Sequence, residues 1–452
     1  MDEHSPARTI AYAETGWGEL PEIGDWRSRE ELLRLQLEQL PRAVEHARRA
    51  PFYRTRLPGG PAPRNLAQLA KLPLTTKEDL RDAYPFGFLA VPMERLATYH
   101  ESSGTSGEPT ASYLTERDWM DSTSRFGRSA VALTPSDVLM VKTPYSMMQT
   151  GHIAHYTGRR KGATIVPADH RSSNMPYSRA VRLLHDLPVT VVWCVPTDCL
   201  LWAAAARHAG HAPEVDFPAL RAFLVAGEAL SHAKRRRIEE TWGGARVIED
   251  YGSTETSTIA GECPEGNLHI WADRVIAEVC DPQTGESAQE GVGRLVITPL
   301  HREAMPLVRY DLGDLVRVSS SPCACGWNLP TIRVLGRAAE QLPVQGTPLS
   351  QVQLEELVFR LPQAFAVMFW RARCTPSSLH VQMEVAPGSE QAACSHLTEA
   401  IAEHLHIRAD VEPLAPGTLV PASVLEDRGL KSKPRYLVQE NEDLSHALLY
   451  YA

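Results

Sequence analysis

The segment Ser102-Ser103-Gly104-Thr105-Ser106-Gly107-Glu108-Pro109-Thr110 concentrates small and hydroxyl-bearing residues. Glycines at 104 and 107 let the backbone turn tightly and aim its N–H groups inward. The hydroxyls of Ser102, Ser103, Thr105, Ser106 and Thr110 add neutral donors around the same concavity. Such a loop suits phosphate oxygens. A flexible linker has similar composition, but this stretch sits between two structured segments and ends in Pro109. No Gly-Lys-Ser/Thr follows, so it is not a Walker A loop.

Cysteine spacing suggests a second site. Cys263 and His269, with Cys323 and Cys325 further on, form a Cys3His set in which Cys-x-Cys followed by Gly326 resembles a metal knuckle. Four protein ligands would leave no open position, so a Zn2+ held there would be structural. The alternative is buried free thiols. Cys194, Cys199, Cys280, Cys374 and Cys394 lack ligand spacing and read as inert. A further apolar, partly aromatic group comprises Tyr145, Met147, Met148 and His152 with Trp193 at a strand end. It would make a large pocket for an aryl or cyclic acid, or else ordinary core.

These residues need a scaffold that brings distant segments together. The runs ATIVPA (163–168), VTVVWCV (189–195), AFLVAGE (222–228) and ARVIEDYG (245–252) alternate with helical stretches, which predicts an α/β architecture with buried strands. Beyond residue 270, VIAEVCDPQTGE and GRLVITPL predict an antiparallel or barrel-like portion. LEELVFRL (354–361) reads as a helix of a final α+β unit. Near the start, Ser28 with Glu31 and Thr75 with Glu78 read as capping boxes, the first helix stopping or kinking near Pro41.

Length and composition agree with this. A chain of 452 residues exceeds what one core sustains, which predicts a large body plus a smaller domain. The net charge of -9 comes with no long block of one sign, which argues against a nucleic-acid partner. Lys234 to Arg237 continue into Glu239 and Glu240 and read as a solvated helix face. The apolar stretch 187–206 is broken by Pro188, Pro196 and Asp198, so no membrane span is expected. The first ten residues lack a secretory signal, which predicts a cytoplasmic protein, as monomer or homodimer.

Taken in order, S-S-G-T-S-G-x-P-T, Tyr251-Gly252-Ser253-Thr254-Glu255, Arg309-Tyr310-Asp311-Leu312-Gly313-Asp314 and Gly336-Arg337 with Glu340 resemble the motifs of the adenylate-forming superfamily of acyl-CoA synthetases. KLPLTTKEDLRDAYPFG, HIAHYTGRRKGATIVP and the CACG run are similar to the phenylacetate-CoA ligase branch. The resemblance implies a large N-terminal adenylation domain over 1–338 and a small mobile C-terminal α+β domain over 339–452, hinged near Glu340. It implies an ATP- and Mg2+-dependent reaction that makes an acyl-adenylate from a small carboxylic acid and passes the acyl group on. CoA is the implied acceptor. An amine, another nitrogen nucleophile or a carrier-protein thiol is the alternative, and a nucleotide-binding protein without turnover a third reading.

The resemblance also implies roles. The loop from Ser102 to Gly107 would hold phosphates, Glu255 beside Thr254 would hold Mg2+, and Tyr251 with Gly252 and Ser253 would lie against adenine. Asp250 would accept from the adenine amino group, and Ala226, Gly227 and Glu228 would line the other side of the base. Asp314 would bind the ribose hydroxyls beside Arg337. In GLKSKPRYLVQ, Lys433, with Lys431 as the alternative register, would bridge carboxylate and α-phosphate. Three positions depart from the pattern: Glu108 stands where relatives carry Lys or Arg, the hinge acid is Glu340 where Asp is usual, and Gln345-Gly346 stands where Arg-Gly is expected. The last departure leans toward an acceptor other than CoA.

Overall fold

The computed structural model describes residues 26–102, 108–170, 174–427 and 436–440. The β-branched runs form the strands Val138–Val141, Thr164–Pro167, Val191–Cys194 and Ala222–Val225, which run parallel and are joined through the helices Thr150–Arg160, Tyr177–Asp186 and Pro196–His208. Helices on such crossovers cover both sheet faces, which is why Val191–Cys194 and Ala222–Val225 are buried throughout and read as continuous apolar runs.

The strand Arg246–Ser253 joins two sheet halves. Its first part pairs in parallel with Ala222–Val225 and its second part antiparallel with Ser257–Glu262. From there the order continues through Leu268–Ile270, Thr331–Arg337, Tyr310–Ser319, Gly291–Pro299, Val275–Cys280 and Ser287–Ala288, completing a twelve-stranded sheet. The antiparallel portion expected beyond residue 270 is this second half. Register shifts at Tyr251/Gly252, Arg294/Val296 and Leu315/Val316 mark its bulges.

A two-stranded ribbon, Leu96–Glu101 with Ala111–Thr115, carries the Ser/Gly loop between its strands. The C-terminal part has its own sheet, in the order Ala409–Leu414, Leu379–Glu384, Trp370–Cys374, Leu437–Gln439, with the helices Gln351–Arg360 and Glu390–Leu405. Gln345 and Gly346 are both left-handed (φ 51° and 80°) and form the two-residue turn between Leu342–Val344 and Thr347–Leu349.

Three local expectations are corrected. The helix Arg29–Ala47 runs through Pro41, and Glu31 accepts from the Arg27 N–H where a full capping box would have it reach Ser28. The second capping box is formed by Thr76 and Asp79, one residue beyond the expected pair. In the run Lys234 to Arg237 only Arg236 is exposed; Lys234 and Arg237 are 1% and 4% exposed and face the C-terminal part. The charge pattern misleads because 234, 237, 238 and 241 share one helical stripe, and that stripe is covered by a second body.

Candidate active site

The carboxyl ends of parallel strands are where an α/β sheet opens a crevice. Segments 142–149, 195–198 and 226–228 emerge there from Val138–Val141, Val191–Cys194 and Ala222–Val225. Strand Arg246–Ser253 delivers the Tyr-Gly motif beside them, and a turn over 253–257 projects Glu255. Gly252 is required at this turn: a Cβ would lie 2.1 Å from the Ser257 carbonyl oxygen. Gln149 donates from its side-chain amide to the Thr254 carbonyl and holds the turn.

The Ser/Gly loop is closed at its mouth. Ser102 N–H donates to the Thr110 carbonyl at 3.0 Å, and Thr110 N–H donates to the Ser102 hydroxyl at 2.9 Å. Thr110 donates its own hydroxyl proton to Glu255 Oε1 at 2.5 Å, so the loop is tied directly to the Tyr-Gly motif. Lys77, at the first position of the helix Lys77–Asp82, places its Nζ 3.7 Å from the same oxygen. Burial disfavours the Glu255 carboxylate, but Lys77 and the Thr110 hydrogen bond outweigh it and hold its pKa below the ordinary value. Glu255 is therefore a buried carboxylate whose charged form is favoured, with oxygen-bearing neighbours, which fits a hard divalent cation such as Mg2+. Ser103, Gly104, Thr105, Ser106 and Gly107 lie outside the described residues, as do Lys431 and Lys433.

A second grouping forms where the strand Tyr310–Ser319 meets Thr331–Arg337. Tyr251 donates its hydroxyl to Asp314 Oδ2 at 2.5 Å, and Arg337 Nε lies 3.2 Å from Asp314 Oδ1. The motifs at 251, 314 and 337 thus meet in one place. Asp250 does not join them: successive strand residues point to opposite faces, and its carboxylate accepts from Thr258 at 3.2 Å on the other side of the sheet. Burial raises the Asp250 pKa to about 8. Its second oxygen, Oδ1, is buried with no hydrogen-bond partner among the described residues. Glu228 also turns away, accepting from the Thr197 hydroxyl at 2.8 Å, so Ala226 and Gly227 are left to offer backbone to a base. Gly227 takes the left-handed conformation there (φ 86°).

Of the apolar group, Tyr145 and His152 meet edge to face at 5.2 Å, and His152 faces His100 at 6.0 Å, with Trp119 beyond at 5.7 Å. Gly151 permits this packing, since a Cβ would approach the Pro144 oxygen to 2.8 Å. Met147 is 47% exposed and Met148 part-buried nearby. Trp193 is buried against Phe126, donates its indole N–H to the Thr150 carbonyl, and lies in the apolar cluster against which Tyr145 packs. Burial, reinforced by His152, lowers the His100 pKa to about 4, so the His100 ring is neutral at pH 7.

Lys77, Gln149, His100 and Trp119 were missed as site residues by sequence reasoning. Thr110 was visible within its motif, and His100 stands two residues before the loop; Gln149 carries no sequence signal. Glu108, the departure from the loop pattern, has an exposed side chain, and its carbonyl accepts from Arg81 at 3.0 Å.

The cysteine set also converges. The ligand atoms of Cys263, His269, Cys323 and Cys325 all lie within 4.8 Å of one another. Cys263 and Cys323 sulfurs are 3.9 Å apart, and Cys325 Sγ is 3.4 Å from His269 Nε2. His269 Nδ1 sits 2.9 Å from the Leu329 carbonyl, so Nδ1 carries the proton and the Nε2 lone pair faces the sulfurs. These spacings suit the edges of a tetrahedron with bonds of about 2.0–2.3 Å.

Comparison with known proteins agrees with the geometry. The AMP-binding enzyme family model matches residues 64–298. The phenylacetate-coenzyme A ligase of Thermus thermophilus is 36% identical over 348 residues, 74% of this chain and 77% of that one. That of Pseudomonas putida is 31% identical over 409 residues, covering 85% and 90%. Among solved structures, a 2-hydroxyisobutyryl-CoA ligase in its post-adenylation state, in complex with 2-HIB-AMP, overlays with a TM-score of 0.81 at 21% identity over 94% of each chain. With the mouth of its Ser/Gly loop tied to Glu255 through Thr110 and its Tyr251, Asp314 and Arg337 brought together, the chain belongs to the AMP-binding enzyme family, in the phenylacetate-CoA ligase-like branch.

Proposed function

We propose that this protein activates an aryl or cyclic carboxylic acid with ATP, releases pyrophosphate, and transfers the acyl group to CoA. The convergence of Lys77, Thr110 and Glu255 on the mouth of the Ser/Gly loop carries the reading. Joining a carboxylate to an α-phosphate brings two anions together, so the site must supply cations and oriented donors. Glu255 would hold Mg2+, which neutralises charge on the phosphates. Asp314 and Arg337 would receive the ribose, Tyr251 and the backbone of 226–227 the base, and the Tyr145–His152–His100 wall the acid. Lys77 supplies a cation from a separate helix where Glu108 removes one from the loop.

The C-terminal part from residue 339 would swing about Glu340 between the two half-reactions, with Lys433 acting in the first. Among the described residues no helix is long and apolar enough to cross a membrane. Reaction with ATP and the cognate acid should yield AMP and pyrophosphate and require Mg2+; chromatography that shows ADP as the sole nucleotide product refutes the reading. Purified protein should carry about one zinc per chain on Cys263, His269, Cys323 and Cys325. Elemental analysis that finds none in protein never exposed to chelator removes that site. Chelation should lower the melting temperature more than it slows adenylation, because the ligand set leaves no position for substrate.

A further inference from the structure

Lys234 is buried at 1% exposure between the two parts of the chain, with three side-chain oxygens around its ammonium. Its Nζ lies 3.1 Å from Thr197 Oγ1, 3.1 Å from Glu355 Oε2 and 3.6 Å from Glu228 Oε2. Thr197 spends its single proton on Glu228, so the Tyr436 hydroxyl, 2.6 Å away, is the donor in that contact. Tyr436 also stacks on Trp370 at 5.1 Å and places its ring under Lys234 at 5.2 Å. Glu355 is 1% exposed and accepts from the Ser231 N–H as well.

This node joins three places. Glu228 belongs to the segment read as lining the base; Thr197 and Lys234 belong to the N-terminal part; Glu355 and Tyr436 belong to the C-terminal part. Tyr436 directly follows, in the chain, the stretch that contains Lys431 and Lys433. Leu201, Trp202 and Trp242 of the N-terminal part and Leu354, Val358 and Trp370 of the C-terminal part belong to one buried apolar cluster, so the node is a polar insert in an otherwise apolar seam. Satisfied in full, such a network also selects one arrangement over neighbouring ones.

We propose that Lys234 is a positioning residue for adenylation: through Thr197, Glu355 and Tyr436 it seats the C-terminal part against the base-lining segment in the arrangement seen here. The inference rests on the proposed function, in which the C-terminal part serves the first half-reaction in one arrangement and the second in another.

Tyr436→Phe removes one hydroxyl and leaves no charge stranded, so it should fold normally. It should lower kcat for acid-dependent ATP–pyrophosphate exchange about tenfold with KM for ATP within about twofold, while transfer from supplied acyl-adenylate to CoA stays within about twofold. Lys234→Met combined with Glu355→Gln, which removes the closest ion pair and leaves Glu228 accepting from the Thr197 N–H and hydroxyl, should show a larger loss with the same split, and should expand the molecule in small-angle scattering. Equal loss in both half-reactions, or no loss in either, overturns the proposal. If the wild-type chain shows no acid-dependent exchange, the functional reading fails by itself; scattering then decides the node, expansion of the double variant upholding it and an unchanged profile overturning it.

Discussion

Lys433→Ala should abolish acyl-adenylate formation from acid and ATP while leaving transfer from a supplied acyl-adenylate nearly intact. In the first half-reaction the carboxylate and the α-phosphate carry charge of the same sign toward one another. Removing an ammonium that bridges them costs about 3 kcal/mol or more, a rate loss of about two orders of magnitude or more. The acyl-adenylate already contains the new bond, so the second half-reaction has no use for that charge. Lys431→Ala should be mild. Acid-dependent pyrophosphate exchange, read beside single-turnover transfer, separates the cases. A severe Lys431 variant with a mild Lys433 variant moves the register by two residues, and normal exchange in both withdraws the C-terminal lysine altogether.

Glu255→Gln should reduce adenylation by about a hundredfold or more, through loss of the anion that would hold Mg2+ at the phosphates. The shape of the site should survive. The amide oxygen can still accept from Thr110, and Lys77, which faces Glu255 across 3.7 Å, is part-exposed and can turn to water. Melting temperature should therefore change little, while the Mg2+ concentration for half-maximal activity rises. Unchanged exchange kinetics would show that Glu255 does not serve the metal. The Glu255 pKa is held below its ordinary value, so the stability contributed by its contacts is present above the unfolded pKa and fades as pH falls through the folded one.

Much of the site is legible because its chemistry is written in contiguous motifs. Turn-forming glycines with hydroxyls, an aromatic followed by glycine and an acid, and a cysteine pair flanking one residue all act through local backbone geometry, which short spacing encodes. The buried strands were legible for a related reason: two covered faces demand unbroken β-branched runs, as at 191–194 and 222–225. Side-chain direction was less so. Asp250 lies on the opposite strand face from Tyr251 with one oxygen taken by Thr258, and one oxygen of Glu228 is claimed by Thr197 and Lys234. Trp193 is buried edge to face against Phe126, a contact that no local spacing announces.

The sequence by itself determined the family of chemistry, the order of the motifs, the α/β character of the body and the ligand types of the cysteine set. Each depends on residue identity at short range. Only the tertiary structure decided which residues from remote segments complete those motifs. Lys77 comes to Glu255 across 178 positions because the ribbon Leu96–Glu101/Ala111–Thr115 and the helix before it fold onto the turn at 253–257. Lys234 and Arg237, polar enough to read as a solvated face, are buried because a second body covers their helix and supplies Glu355 and the carbonyls of Leu361 and Val367 as partners. Burial of a charge is a property of what packs against it, and the identity of that partner is set by long-range packing that no local spacing records.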